Sequence, residues 1–288
     1  MGNPATCYLN GELMALASAR ISPLDRGFLF GDGVYEVIPC YGGVPFRLDA
    51  HLRRLANSLA AIDLADPLSA RGWTEVFEQV CRANGGGDQS LYLQVTRGCP
   101  ERRTHEFPGR SEPTVFVMSS PLPAAGAFAD GLHATLREDL RWARCDIKAV
   151  ALLPNVLLRQ EAIAAGADEA ILHRDGQITE GAASTVFLVR DGELATPALH
   201  PGLLPGITRE VILELAEQHG LPFRCRPIGL DELRSADEVW LSSATKEVAP
   251  VLRIDGDPVG NGSPGPVFAA MRGWFTRLRE ATARGRQP

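Results

Sequence analysis

The sequence predicts a mixed α/β (α+β) protein folded as two domains, and three observations carry that prediction. Its 288 residues suit two domains of ordinary size. Strand-like alternation and helical spacing both recur along the whole chain. One uncharged, proline-rich stretch, Pro121-Leu122-Pro123-Ala124-Ala125-Gly126, interrupts them as an interdomain linker would. The boundaries drawn from it are a small N-terminal α/β domain at 1–120, a linker at 121–128 and a larger C-terminal domain at 129–288.

The elements follow in chain order. Cys7-Tyr8-Leu9 and Glu12-Leu13-Met14 flank Asn10-Gly11, a strong hairpin signal. Val34–Cys40 and Val44–Arg47 flank Tyr41-Gly42-Gly43 as a second hairpin. Leu52, Leu55, Leu59 and Ile62 recur at helical spacing behind Asp49, a candidate cap. A second helix is expected at Trp73–Ala83. Ser90–Thr96 alternates Leu91, Leu93 and Val95 with polar residues, and Thr114–Met118 is apolar; both read as strands. Beyond the linker, strands are expected at Ala134–Arg137, Glu169–His173, Thr185–Val189 and Glu238–Leu241. Helices are expected at Asn155–Ala165, Thr208–His219 (closed by Gly220) and Val267–Ala283, with a frayed end to Pro288.

Composition removes several function classes. Hydrophobic residues at 45% and charged residues at 22% are those of a globular protein. A net charge of −6 without a basic patch argues against nucleic acid. No apolar run approaches the roughly 20 residues of a membrane span. The start lacks a secretory pattern, and Met1-Gly2 with Thr6 matches a myristoylation signal only loosely. Six scattered cysteines, none in a Cys-x-x-Cys pair, fit reduced thiols in a cytoplasmic protein. Six dispersed histidines give no zinc spacing, so no metal is expected. All but two of the 29 basic residues are arginine; the exceptions are Lys148 and Lys246. Arginine cannot replace lysine where an uncharged amine must act.

Five segments could carry chemistry, and each has a plainer reading. Lys148 lies in the otherwise apolar run Ile147–Leu153, where desolvation would favour a nucleophilic amine; a strand end with the lysine reaching water is commoner. Glu180 sits among small residues in Gly176–Ser184, as a ligand contact or as a solvated turn. Leu204-Pro205-Gly206-Ile207-Thr208-Arg209 opens a helix whose first amides could cradle an anion, with Ser242-Ser243-Ala244-Thr245 completing the cradle. An ordinary Thr208 cap and a polar turn are the plainer readings. Arg53 or Arg54 could clamp a phosphate, or both could be solvated. The loop from Arg97 to Pro108, which holds Arg102, Arg103 and His105, suits a small carboxylate, or is simply a charged loop. Gly27, Gly31 and Gly33 open a strand rather than a helix, which excludes a dinucleotide fingerprint.

Five ordered motifs give these segments a common reading. They are Asp25-Arg26-Gly27-Phe28-Leu29-Phe30-Gly31-Asp32-Gly33-Val34-Tyr35-Glu36, His51-Leu52-Arg53-Arg54-Leu55, Lys148 with Leu153-Pro154-Asn155, Thr179-Glu180-Gly181, and Leu204–Arg209. With them the chain resembles, from about Tyr8 to Ile254, the fold-type IV pyridoxal 5′-phosphate (PLP) enzymes. That group holds D-amino-acid and branched-chain aminotransferases and aminodeoxychorismate lyases. The resemblance implies a β-barrel-like core in the larger domain and a homodimer. It implies PLP held by Lys148 as a Schiff base, with Glu180 on the pyridine nitrogen and Leu204 against the ring. It places Arg54, Ile207, Thr208, Ser243 and Ala244 at the phosphate, where Ala244 lacks the hydroxyl some members carry. Lys148 would also shuttle the substrate proton.

Within the group, Arg103-Thr104-His105 resembles the Arg-x-His pair with which D-amino-acid aminotransferases take the substrate carboxylate, assisted by Tyr35. The loop is one residue longer than usual, so Arg102 competes for that role. The expected reaction is a ping-pong transamination between a D-amino acid and a 2-oxo acid. A lyase or branched-chain aminotransferase on the same fold, and a non-catalytic PLP-binding protein, are the alternatives.

Overall fold

The computed structural model describes residues 5–109 and 111–285. Met1-Gly2 and the end of the expected frayed tail lie outside them. The described chain forms two compact units that are not contiguous in sequence. The first gathers residues 5–122, Ile147–Ala151 and 279–285; the second gathers Pro123–Asp146 and Leu152–Leu278. A single cut near residue 121 therefore misses two segments, one of which carries Lys148.

The first unit is built on a six-stranded antiparallel sheet. β1 (Thr6–Leu9) and β2 (Glu12–Ala15) form the first hairpin. Asn10 at φ 49° and Gly11 at φ 101° supply the two left-handed positions its turn requires. A short helix, α1 (Arg26–Phe30), lies inside the glycine-rich segment, where only a strand is expected. Asp25 caps it by accepting from the Gly27 amide at 2.8 Å, and Gly31 ends it in the left-handed region. β3 (Gly33–Tyr41) follows and turns through Gly42-Gly43 into β4 (Val44–Pro45). Then come α2 (Leu48–Ala61), α3 (Ala70–Ala83), β5 (Gln89–Thr96) and β6 (Thr114–Pro121).

Asp49 does not cap α2; that place falls to Arg47, at φ 52°, without a side-chain bond. Ser69 caps α3, which starts earlier than its apolar spacing suggests. Val34, Ile38, Leu91, Leu93, Val95 and Val117 from the sheet share one core with Leu55, Leu59, Trp73 and Phe77 from the helices. Ile147 belongs to that core, and Ala149 packs against it. Residues 147–151 form no strand of their own, but they pair with the start of β3. Tyr35 N–H donates to the Lys148 carbonyl at 2.9 Å, and Val150 N–H to the Gly33 carbonyl at 3.0 Å.

The second unit holds β7 (Leu132–Glu138), α4 (Leu153–Ala164), β8 (Glu169–Arg174), β9 (Gln177–Gly181), β10 (Thr185–Arg190) and β11 (Glu193–Thr196). It continues with α5 (Ile207–Gln218), β12 (Phe223–Cys225), α6 (Leu230–Arg234), β13 (Glu238–Ser243), β14 (Glu247–Ile254), β15 (Asp257–Pro258) and α7 (Pro266–Ala283), whose last turn groups with the first unit. Eight strands run in the order β12-β11-β10-β13-β14-β7-β8-β9, with β15 beside β14, in a sheet that curls as a half-barrel. β7 pairs parallel with β8 through α4, and β11 parallel with β12 through α5, as helical crossovers require.

Two of the plainer readings fail here. Gln177–Gly181 is a strand, not a turn, so Glu180 is buried rather than solvated. Gly206, not Thr208, is the N-cap of α5; Thr208 is the second helical residue.

Candidate active site

In the first unit the pleat of β3 turns Val34, Glu36 and Ile38 to the buried face. Glu36 is fully buried, and α2 supplies its partners one turn apart. His51 Nδ1 lies 2.7 Å from one carboxylate oxygen, and Arg54 donates Nε at 2.8 Å and Nη2 at 2.7 Å. Burial opposes ionisation of Glu36. The Arg54 charge and hydrogen bonds, with His51, outweigh burial and bring the carboxyl down to about 2. Burial pushes His51 below its usual range, aided by Arg54 and Lys148 and against the pull of Glu36. Arg54 is thus held in one orientation by a bidentate pair.

Tyr35 leaves the opposite face of β3. Its ring stacks on Tyr92 at 5.7 Å, and Lys148 Nζ lies 4.3 Å from the Tyr35 ring centroid. The Lys148 amide donates to Ser58 Oγ at 3.2 Å, so α2 and β3 both fix the lysine backbone. Arg103 and His105 both contact the Phe30 ring, at 4.8 Å and 5.3 Å from its centroid. Arg102 is exposed.

In the second unit Glu180, the penultimate residue of β9, has both carboxylate oxygens engaged. Arg141 Nη1 donates to one, and the Leu204 amide donates to the other at 3.2 Å. Burial raises the Glu180 carboxyl above its usual range, against the Arg141 charge and hydrogen bond and the Leu204 amide. Arg141 is held by Asp139, which takes Nε at 2.9 Å and Nη2 at 2.8 Å and accepts the Thr179 hydroxyl at 2.9 Å. Sequence reasoning passed over Asp139 and Arg141. Their spacing of two residues was the available signal, since such residues share one face of an extended chain.

At α5 the first-turn amides of Ile207, Thr208 and Arg209 have no partner within the helix, and Ile207 and Thr208 are buried. The second loop follows β13. Ser243 Oγ accepts the Lys246 amide at 3.1 Å, and Ser242 Oγ is buried without a hydrogen-bond partner among the described residues. Lys246 is committed elsewhere. Its Nζ lies 3.1 Å from Glu169, which also takes Arg159 Nη1 at 2.8 Å and is itself fully buried. Among the described residues no group of three or more His, Cys, Asp or Glu side chains could hold a metal. No described helix is long and apolar enough to cross a membrane.

These donors fit the expected PLP. A helix N-terminus with free amides and an orphaned serine hydroxyl in the neighbouring loop suit its phosphate. A carboxylate oriented by an arginine suits its pyridine nitrogen.

Comparison with known proteins gives the same family. Residues 33–254 match the amino-transferase class IV family. The chain is 40% identical over 275 residues to a D-alanine aminotransferase of Listeria monocytogenes, with 93% of each chain covered. Among solved structures it is similar to the branched-chain amino acid aminotransferase of Escherichia coli, with TM-score 0.91, 28% identity, and 99% and 97% of the two chains covered. It is also similar to a branched-chain amino acid aminotransferase from Thermobaculum terrenum in its PLP form, with TM-score 0.87, 27% identity, and 100% and 96% covered.

Proposed function

The chain belongs to the class IV aminotransferase family, and from that premise we propose that it is a PLP-dependent transaminase exchanging an amino group between a D-amino acid and a 2-oxo acid. The observation that carries the D-specific reading is the Arg103 and His105 pair seated on Phe30. A cation and an imidazole that both contact one aromatic ring can serve as two donors for a small carboxylate. The 40% identity to a D-alanine aminotransferase, against 28% to the branched-chain enzyme of high structural similarity, supports it.

Bound PLP supplies the aldehyde that takes up the amino group and a ring that spreads the negative charge left when the Cα proton departs. Lys148 is the amine that holds the cofactor. Its Nζ, which rests on the Tyr35 ring, would take the proton from the substrate Cα. Glu180 serves the pyridine nitrogen, and Arg141 and the Leu204 amide fix its two oxygens. The Leu204 side chain would pack against the ring. Arg54, the Ile207 and Thr208 amides, the Thr208 hydroxyl and the loop at Ser243 and Ala244 take the phosphate. Ala244 can contribute only its backbone. Tyr35, Arg103 and His105 bind the substrate carboxylate, with Arg103 preferred to Arg102 because Arg103 shares the ring with His105.

We further propose a homodimer in which the carboxylate-binding loop serves the partner's site, and a cytoplasmic location consistent with six free cysteines.

The test supplies D-alanine, L-alanine and L-leucine separately, each with 2-oxoglutarate. Pyruvate from D-alanine, with little turnover of either L-amino acid, is expected. Faster turnover of L-leucine would give the branched-chain reading instead.

A further inference from the structure

We propose that Arg26, together with Phe30, is a positioning residue for the carboxylate-binding pair Arg103 and His105. The proposal rests on the D-amino-acid reading above.

The loop has no ladder to hold it. Among the described residues, 97–113 contain neither helix nor strand. Arg103 and His105 are exposed, so their own packing fixes them little. Yet three successive carbonyls of this loop converge on one guanidinium. Arg26 donates Nη1 to the Thr104 carbonyl at 2.6 Å and to the Glu106 carbonyl at 3.2 Å, and Nη2 to the His105 carbonyl at 3.4 Å. Arg26 is only 3% exposed, so water does not compete for these donors.

Arg26 is itself anchored. Its Nε donates to Asp32 at 2.7 Å, and the same Asp32 oxygen accepts Arg97 Nε at 2.9 Å. Burial acts against the Asp32 charge, but the two arginines hold its carboxyl below the usual range. Arg97 grips the rest of the loop. Its other nitrogens donate to the Asp63 and Ile62 carbonyls, and its guanidinium lies 3.7 Å from the Phe107 ring centroid. The α1 helix then places Phe30 one turn beyond Arg26, and Arg26 lies 4.9 Å from the same ring that carries Arg103 and His105.

The backbone between Arg103 and His105 is therefore set by Arg26, and their side chains rest on Phe30. A lysine could not substitute, because one ammonium cannot span three carbonyls and Asp32.

The experiment uses the holoenzyme carrying Arg26→Gln, Arg26→Lys or Phe30→Leu. Asp32 keeps Arg97 in both Arg26 variants, so no buried carboxylate is stranded. Steady-state constants are measured for D-alanine and 2-oxoglutarate. Propionate, a bare carboxylate, is titrated as a perturbant of the cofactor absorbance. Both KM values and the propionate dissociation constant should rise at least tenfold in Arg26→Gln and in Arg26→Lys, while kcat stays within about threefold. Phe30→Leu should shift the same quantities in the same direction by a smaller factor. Propionate affinity and KM within twofold of wild type in Arg26→Gln, or full recovery in Arg26→Lys, would overturn the proposal. If Arg26→Gln fails to fold, unchanged propionate binding in Phe30→Leu overturns it. If wild type does not turn over D-alanine, the D-amino-acid reading falls, while the propionate arm still decides the positioning role.

Discussion

Replacing Glu36 by glutamine tests the electrostatics of the first unit most directly. The carboxyl titrates near 2 in the fold, against an ordinary value of 4.5. The depressed value means that ionised Glu36 stabilises the native state above pH 4.5 and loses that effect as pH falls toward 2. At about 1.4 kcal/mol per pH unit, the difference amounts to about 3 kcal/mol at neutral pH. By the same linkage it shrinks to about 2 kcal/mol at pH 3.5. Glutamine keeps the shape but removes the charge that Arg54 and His51 face in the buried cluster. Urea unfolding of wild type and Glu36→Gln at pH 7 and pH 3.5, both in a His51→Gln background, reads the effect without the one neighbouring imidazole whose titration Glu36 also shifts. The stability difference should be about 3 kcal/mol at pH 7 and smaller by about 1 kcal/mol at pH 3.5. A difference that does not change with pH would refute the assignment of the depressed carboxyl to Glu36.

Other outcomes follow from the same contacts. Lys148→Ala should abolish the cofactor adduct trapped by borohydride, whereas Lys246→Ala should retain it; mass spectrometry of the reduced proteins decides between them. Removing Lys246 leaves Glu169 with Arg159 alone, and thermal unfolding should show a lower Tm. Glu180→Gln should lower kcat by roughly two orders of magnitude, since an oriented charge at the site of charge development contributes on that scale. Arg141→Met strands Glu180 without its cation and leaves Asp139 with Arg174 alone. It should cost about 3–5 kcal/mol in urea unfolding, as broken buried pairs do.

Local chemistry was legible in the sequence wherever a few adjacent residues decide the outcome. Asn10-Gly11 fixes a hairpin, and Leu55 and Leu59 recur at the spacing of a buried helical face. The lysine count narrows the cofactor amine to Lys148 or Lys246, and Glu169 then accounts for the second. Charge networks were not legible, because their members lie far apart in the chain. Arg26 reaches carbonyls 78 to 80 residues away, and Arg97 reaches Asp32 across 65. No period marks such pairs. A charged residue on an apolar strand face, as Glu36 is between Val34 and Ile38, was the one clue on offer. β9 went unseen because Gly176, Gln177, Glu180 and Gly181 favour turns over strands; cross-strand pairing with β8 overrides that preference.

The commitment of Lys246 to Glu169 also decides how this protein can be handled chemically. Both of its lysines are half-buried, so its outer face is dominated by guanidinium and carboxylate groups. Lysine-directed cross-linkers and amine-coupled supports have no fully exposed lysine to grip there. Reductive methylation, whose reagents are far smaller, becomes a footprint: modification of Lys148 registers whether its amine is already taken.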